Sequence, residues 1–302
     1  MIAPVVLFVY NRPIHTSKTL EALKNNVGAS EITLYIFQDG LKQNASEAQR
    51  QEYSKVKEII RSQNWCEKAI IYEAETNLGL AHSVIKGVTF VVNKHGRVIV
   101  LEDDIVTSST FLKFMNASLE KYKTEPSVSC ISGYIYPLSN QKDELFFIKG
   151  ADCWGWATWD RAWNKLDTNA ASLLLKLEEK NLTYDFDFFD TYPYLEMLRQ
   201  QINKQIDSWA ICWYASAYLA NMYTLYPSKS LVLNIGIDGT GTHSGTSDLW
   251  GTEAVDFMPS TYPKEIKESI EAKKLIAAHF KSIRQQPASS IFNKIKSWFT
   301  RN

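Results

Sequence analysis

The first 132 residues alternate short apolar, β-branched runs with helical stretches, and this order constrains the fold more than any other feature of the chain. Runs at Val5–Tyr10, Thr33–Gln38, Ala69–Glu73, Arg97–Glu102 and Val128–Ser132 read as strands. Helical patterns lie between and after them, near residues 16–26, 46–63, 80–94 and 109–123. In the last of these, Phe111, Leu112, Met115, Leu119 and Tyr122 recur at helical spacing and predict one buried face. Strands that are apolar on both faces and separated by helices need a mostly parallel sheet flanked by helices, joined by right-handed crossovers. Ligands of such sheets bind beyond the carboxyl ends of the strands. The polar residues that close each run therefore form the candidate site.

Those residues are Asn11-Arg12, Gln38-Asp39-Gly40, Asn77-Leu78-Gly79 and Glu102-Asp103-Asp104. The acidic triplet follows the strand Arg97-Val98-Ile99-Val100-Leu101 and precedes a helix expected to begin near Ser108-Ser109. Carboxylates there are hard oxygen ligands suited to Mg²⁺ or Mn²⁺, whose remaining positions go to water and phosphate oxygens. A diphosphate leaving group needs such a cation, because charge builds on it as its bond breaks. The plain alternative is that these acids solvate a strand end or favour the next helix N-terminus. Arg12, at a strand end before Pro13, suits an anion; its alternative is a surface salt bridge.

The order Tyr10-Asn11-Arg12-Pro13, Gln38-Asp39-Gly40, Asn77-Leu78-Gly79-Leu80 and Leu101-Glu102-Asp103-Asp104 resembles a glycosyltransferase of the GT-A (Rossmann-like) fold. It is similar to bacterial family-two-like enzymes. It also resembles the inverting N-acetylglucosaminyltransferase I of N-glycan synthesis, whose metal motif is likewise Glu-Asp-Asp. The resemblance covers roughly the first 165 residues, and the next eighty loosely. It implies that Asp104 coordinates the metal, that Glu102 and Asp103 contact the ribose and donor sugar, and that Asp39 hydrogen-bonds uracil. Arg12 would face the phosphates. His82 lies close to where the eukaryotic relative places a histidine against the base; the other reading of His82 is a surface residue on the helix that begins near Leu80.

From about residue 134 the pattern changes to an aromatic-rich second half, the acceptor side in this resemblance. Helices are expected near 171–180, 190–204 and 208–222, then short strands at Tyr223–Tyr226 and Leu231–Asn234. An inverting transfer needs one carboxylate to take the acceptor proton. Asp207 is the candidate because it precedes Ser208-Trp209 as the relative's catalytic acid precedes a tryptophan; its alternative is a helix N-cap. Asp152, Asp160 and Asp238 compete with it. The stretch Asp152–Trp159 resembles the segment that walls the sugars. Trp154 and Trp156 are the expected sugar contacts, with plain core packing as the alternative; Gly155 would admit a substrate to the backbone, and Trp159 and Trp163 are expected to pack inward on a short helix. The stretch Gly236–Gly245 reads as a closing lid, with His243 a candidate to touch the metal or a phosphate; an ordinary surface loop is the alternative.

These elements divide the chain into a catalytic domain over 1–285 (a nucleotide-binding half, 1–133, and an acceptor and lid half, 134–285) and a tail over 286–302. In the tail, Ile291, Phe292, Ile295, Trp298 and Phe299 share one face, with Lys294, Lys296 and Arg301 mostly elsewhere. That pattern suits the surface of an anionic membrane, or docking on protein. Lys+Arg and Asp+Glu both total 33 in 302 residues, which speaks against nucleic acid as a partner. The four cysteines form no CxxC pair, the N-terminus shows no signal peptide, and no run approaches the ~18 apolar residues of a membrane span. A cytoplasmic protein, extending to the inner face of the plasma membrane, is expected. The expected activity is metal-dependent inverting transfer of a hexose or GlcNAc from a UDP-sugar to a glycan or lipid-linked glycan in bacterial surface polysaccharide synthesis. Nucleotidyl transfer is the nearest rival, although Asn11-Arg12-Pro13 is not the Gly-rich loop such enzymes use. A non-catalytic glycan-binding protein on the same fold is the other.

Overall fold

In a computed structural model, residues 2–139, 141–142, 144–237, 250–251 and 253–284 are described. Asp238, His243, most of the Gly236–Gly245 stretch and the whole 286–302 tail lie outside them. The first half builds β1 (Val5–Val9), α1 (Pro13–Lys24), β2 (Thr33–Gln38), α2 (Glu47–Ile59), β3 (Lys68–Glu73), α3 (Leu80–His95) and β4 (Arg97–Glu102). Next come β5 (Ile105–Thr107), α4 (Phe111–Lys121) and β6 (Val128–Ser132). The helix face expected around Phe111, Leu112, Met115, Leu119 and Tyr122 is buried.

The second half adds β7 (Leu145–Lys149), β8 (Trp156–Trp159), α5 (Asp160–Trp163), α6 (Ala170–Glu179) and α7 (Thr183–Phe186). It continues with α8 (Tyr194–Ile202), α9 (Trp209–Leu219), β9 (Tyr223–Pro227), β10 (Val232–Asn234) and α10 (Ile270–Arg284). Its strands complete the same sheet, in the order β3-β2-β1-β4-β8-β6-β9-β7. The β3-β2-β1-β4 block is parallel throughout, and β6 and β9 run with it, so only β7 and β8 are reversed. The sheet is thus mostly parallel, with helices packed on it. A separate two-stranded ribbon pairs β5 with β10.

Burial explains why these strands are central. Val5 to Val9 and Val98 to Leu101 are at most 4% exposed, as β-branched strands covered on both faces should be. β3 departs from the expectation of strands apolar on both faces: none of its residues is fully buried, because it forms the outer edge of the sheet.

A tryptophan cluster fixes the reversed strand. Trp156 on β8 packs with Trp163, Trp209 and Trp213 at ring-centroid distances of 5.4–6.1 Å, locking α5 and α9 to β8. Trp156 is 1% exposed, so the expectation that it contacts a sugar is overturned: its ring is core. Trp159 and Trp163 are both buried as expected, though Trp159 closes β8 and only Trp163 sits on the short helix. Gly155 is also claimed by the core. A Cβ there would stand 2.7 Å from Val232 and 3.3 Å from Ile105, so the missing side chain makes room for the β5–β10 ribbon, not for substrate.

Candidate active site

The carboxyl ends of β1, β2 and β4 open into one cavity of about 460 Å³, a volume typical of small-ligand sites. Arg12, Asp39, Glu102, Asp103, Asp104, Trp154 and Asp207 all line it. The fold therefore brings together seven of the expected site residues, drawn from positions 12 to 207. Trp156 and His82 are not among its walls. His82 is exposed on the outer side of α3, where Gly79, Leu80 and Ser83 line the cavity instead, so the surface reading of His82 holds.

Arg12 follows β1 directly and points across to the acids that close β4. One terminal nitrogen, Nη2, binds Asp103 Oδ1 and lies 2.7 Å from Asp104 Oδ2, and Nε reaches Asp103 Oδ2 at 3.4 Å. Burial works against this guanidinium, but Asp103 and Asp104 outweigh it and hold the charge above the ordinary arginine range. The expectation that Arg12 faces phosphates is thus modified: its first partners are the acids themselves. Its other terminal nitrogen, Nη1, is buried and finds no hydrogen-bond partner among the described residues. An orphan donor of this kind is costly unless an anion or water meets it.

Three carboxylates face this single guanidinium. Burial, then the charges of Asp104 and Asp103, push Glu102 up to about 8, and Arg12 offsets this only in part. Burial likewise raises Asp103 above the usual carboxylate range against the pull of Arg12. Thr19 Oγ1 donates to Asp103 O at 2.8 Å, tying α1 beneath the triplet. Above it, Ile235 N donates to Asp104 O at 2.9 Å. Gly236 then passes so close that a Cβ would overlap the Asp104 carboxylate and approach Arg12 Nη1 to 3.0 Å. No substitution at Gly236 leaves that contact intact.

Whether a divalent cation fits is answered by the donor set. Among the described residues, no group of three or more His, Cys, Asp and Glu is arranged to enclose one. Mg²⁺-type sites commonly take one or two carboxylates and complete the shell with substrate phosphates and water. Hard carboxylate oxygens in excess of their one cationic partner, beside an orphan guanidinium nitrogen, fit a cation–diphosphate pair of that open kind.

Asp39 is committed elsewhere. Its Oδ1 accepts from Gly40 N and Leu78 N, each at 2.8 Å. Oδ2 accepts from Asn77 Nδ2 at 2.9 Å and Gly79 N at 3.0 Å. Four bonds match the acceptor capacity of a carboxylate. They clamp the loop after β2 to the N-terminus of α3, and a uracil contact would require giving one up. The polar strand ends were legible in sequence, but this mutual clamp was not: nothing in the spacing of Asp39 and Asn77 marks them as partners.

Asp207 is exposed at the cavity mouth, with Oδ2 3.7 Å from where a Gly79 side chain would begin. It is not the helix cap that the alternative supposed. Ser208 caps α9, its Oγ accepting from Ile211 N at 3.4 Å, which leaves the Asp207 carboxylate without a capping duty. Beyond Trp154, the cavity continues between β7, β9, α8 and α9 into walls rich in tyrosine: Tyr134, Tyr136, Tyr192, Tyr194, Tyr214 and Tyr226. None of these was singled out from sequence, where they are scattered over some ninety positions; two i, i+2 pairs were the only available signal.

No family model matches the chain, and no curated protein matches it. Solved structures of similar shape include residues 1–349 of TarS from S. aureus, 13% identical at a TM-score of 0.42, covering 77% of this chain and 60% of that one. A longer TarS chain is 12% identical with a TM-score of 0.40, covering 77% of this chain and 36% of the other. UDP-glucose pyrophosphorylase from Acinetobacter baumanii is 12% identical with a TM-score of 0.39, covering 78% and 89%. This chain thus spans less than two thirds of either TarS chain, and likeness at this level assigns no activity.

Proposed function

We propose that the protein is a metal-dependent glycosyltransferase of GT-A type, moving a hexose or GlcNAc from a UDP-sugar to a hydroxyl of a glycan or lipid-linked glycan with inversion. The observation that carries this reading is one continuous cavity joining an acid-and-arginine strand edge to an aromatic chamber, with Asp207 at its mouth. A charged end for a diphosphate and an aromatic end for sugar faces are the two halves such a reaction requires.

In this reading Asp104 would hold Mn²⁺ or Mg²⁺, which when bound would supply Lewis-acid charge to the departing diphosphate, and Glu102 and Asp103 would contact the ribose and donor sugar. Arg12 presents its unpartnered Nη1 to the same phosphate oxygens. Asp39 keeps the base-side loop in place, and Trp154 offers its face to a sugar. Asp207 takes the proton from the acceptor hydroxyl as that oxygen attacks the anomeric carbon. The bond from that carbon to the diphosphate breaks, its electron pair leaves with UDP, and the configuration inverts. The activity would sit in the 1–285 domain, and a role in bacterial surface polysaccharide synthesis belongs to the same proposal. So does a cytoplasmic location with the basic, aromatic 286–302 tail at a membrane face. No described helix is long and apolar enough to cross a membrane.

The test is UDP release from a panel of UDP-sugars with Mn²⁺, followed by the anomeric configuration of any glycoside formed. Metal-dependent UDP release with an inverted product supports the reading. Pyrophosphate release from a nucleoside triphosphate and a sugar phosphate would replace it with nucleotidyl transfer. Saturable glycan binding with no turnover would leave the non-catalytic reading.

A further inference from the structure

The second half of the cavity holds a polar group that the proposed chemistry does not use. The segment from Gly150 to Gly155 crosses from the lower end of β7 to the upper end of β8 and is pinned at both ends. Gly150 N donates to Met222 O at 2.8 Å, and Gly150 O accepts from Ser129 Oγ at 2.6 Å and Thr224 Oγ1 at 2.9 Å. At the other end Gly133 N donates to Gly155 O at 2.7 Å. Asp152 is carried between these fixed points. Its Oδ1 accepts from Cys153 N at 2.6 Å, while Oδ2 is buried with no hydrogen-bond partner. The Ser132 hydroxyl lies near but donates to Tyr134 O at 3.0 Å instead. Burial raises the Asp152 carboxyl above the usual carboxylate range, and the Cys153 N–H, the Tyr226 hydroxyl and the Trp154 N–H beside it offset this only in part.

Around this carboxylate stand tyrosines from three separate parts of the chain. Tyr134, Tyr136, Tyr194 and Tyr226 line the cavity with Asp152 and feel its charge, and the Tyr134 hydroxyl donates to Trp250 O at 3.1 Å. Cys153, the next residue, is within range of both Asp152 and the Glu102 and Asp104 carboxylates, so the chamber adjoins the acid triplet. The lining also decides the charge of what enters. Lys149, which lines the same cavity, has its ammonium 4.4 Å over the Tyr218 ring and faces Asp185 and Glu268. It is therefore occupied, and an anionic ligand would meet a bare carboxylate. A ligand that donates hydroxyls and shows C–H faces to aromatic rings satisfies every wall.

We propose that this chamber is a subsite for an uncharged pyranose of the acceptor, with Asp152 Oδ2 accepting from its hydroxyls and the tyrosine rings covering its faces. The identity of the ligand as an acceptor rests on the glycosyl-transfer reading; the subsite itself rests on Asp152 and the rings.

The experiment is saturation-transfer NMR with neutral methyl glycosides (glucoside, galactoside and N-acetylglucosaminide) at tens of millimolar, with and without UDP and Mn²⁺. Methyl glucuronide and tetramethylammonium serve as the anionic and cationic probes. At least one neutral glycoside should bind saturably without nucleotide, and the glucuronide should not. Asp152→Asn should weaken that binding about tenfold, the loss expected when a good hydrogen bond to a charged acceptor is removed. Tyr226→Phe, which deletes one oxygen and keeps the ring, should weaken it several-fold, a second reading should Asp152→Asn fold poorly. A separate titration with UDP and Mn²⁺ decides the parent reading: no UDP binding would defeat glycosyl transfer and leave the subsite standing. The subsite is overturned if no neutral glycoside binds under any condition, or if Asp152→Asn and Tyr226→Phe bind as wild type does. Preferential binding of tetramethylammonium also overturns it. So does an effect of Asp152→Asn confined to intact UDP-sugars, which would make the chamber a donor pocket.

Discussion

The two ends of the cavity are built on opposite principles. At the β1–β2–β4 end charges are fixed by groups of the protein: Asp39 is held by four donors, and Arg12 is shared between Asp103 and Asp104, with only its Nη1 left over. At the far end a single carboxylate stands among aromatic rings with one oxygen unsatisfied. The first arrangement is preorganised: charges fixed against one another need little rearrangement when a ligand's charge arrives. The second leaves selection to shape and to one acceptor atom, which is how a pocket discriminates among neutral polyols. The comparison teaches that stability and function are entangled at Asp39 and separable at Asp104 and in the aromatic end.

Asp104→Ala should give the largest effect. It removes the acid that shares Arg12 while Asp103 keeps its own bond, so the fold should survive while UDP-sugar turnover falls on the order of 10²–10³-fold. Undiminished turnover in a coupled UDP-release assay would break the charged-end account. Next in size, Trp156→Ala should destabilise the protein by about 3–5 kcal/mol, lowering Tm on the order of 10 °C, because a core ring is lost. Trp154→Ala should move Tm far less and act instead on glycoside binding; reversed results would exchange the assigned roles of these two rings.

Asp39→Ala should cost about 2–4 kcal/mol, since three backbone amides and an asparagine side chain lose their acceptor together. Differential scanning calorimetry would show this without any ligand, and an unchanged Tm would restore Asp39 as a purely ligand-facing group. The last effect concerns pH. Glu102 holds its proton up to about 8 in the folded protein, against an ordinary value of 4.5, so the folded state binds more protons than the unfolded between those values. Stability should therefore fall as pH rises from about 4.5 to about 8. Glu102→Gln should flatten that slope in denaturant midpoints measured across the range; an unaltered slope would locate the titration elsewhere.

The parallel block was legible because its strands announce themselves twice, as β-branched runs and as runs closed by polar residues. Thr33–Gln38, Arg97–Glu102 and Val128–Ser132 stand as read. Three strands escaped: β5 is three residues long, β8 is written in tryptophans, and β7 lies in a stretch whose aromatic density masked its period. Helix α10 also escaped, although Ala272, Ile276, Ala277, Phe280 and Ile283 fall at helical spacing. Buried Lys273 among them disguises the apolar face; it pairs with Asp185 at 2.6 Å and Glu268 at 3.2 Å. In the site, residue types at strand ends were readable, but their partners were not. The Arg12–Asp103 and Asp39–Asn77 pairings arise only when the sheet brings distant strand ends side by side.

The most direct measurement of the central claim is calorimetric titration of UDP into wild type and Asp104→Ala, each with and without Mn²⁺. The account predicts UDP binding to wild type that weakens at least about tenfold on metal removal, and no metal-dependent gain in Asp104→Ala. UDP binding of equal strength in all four titrations, or in none, would contradict it.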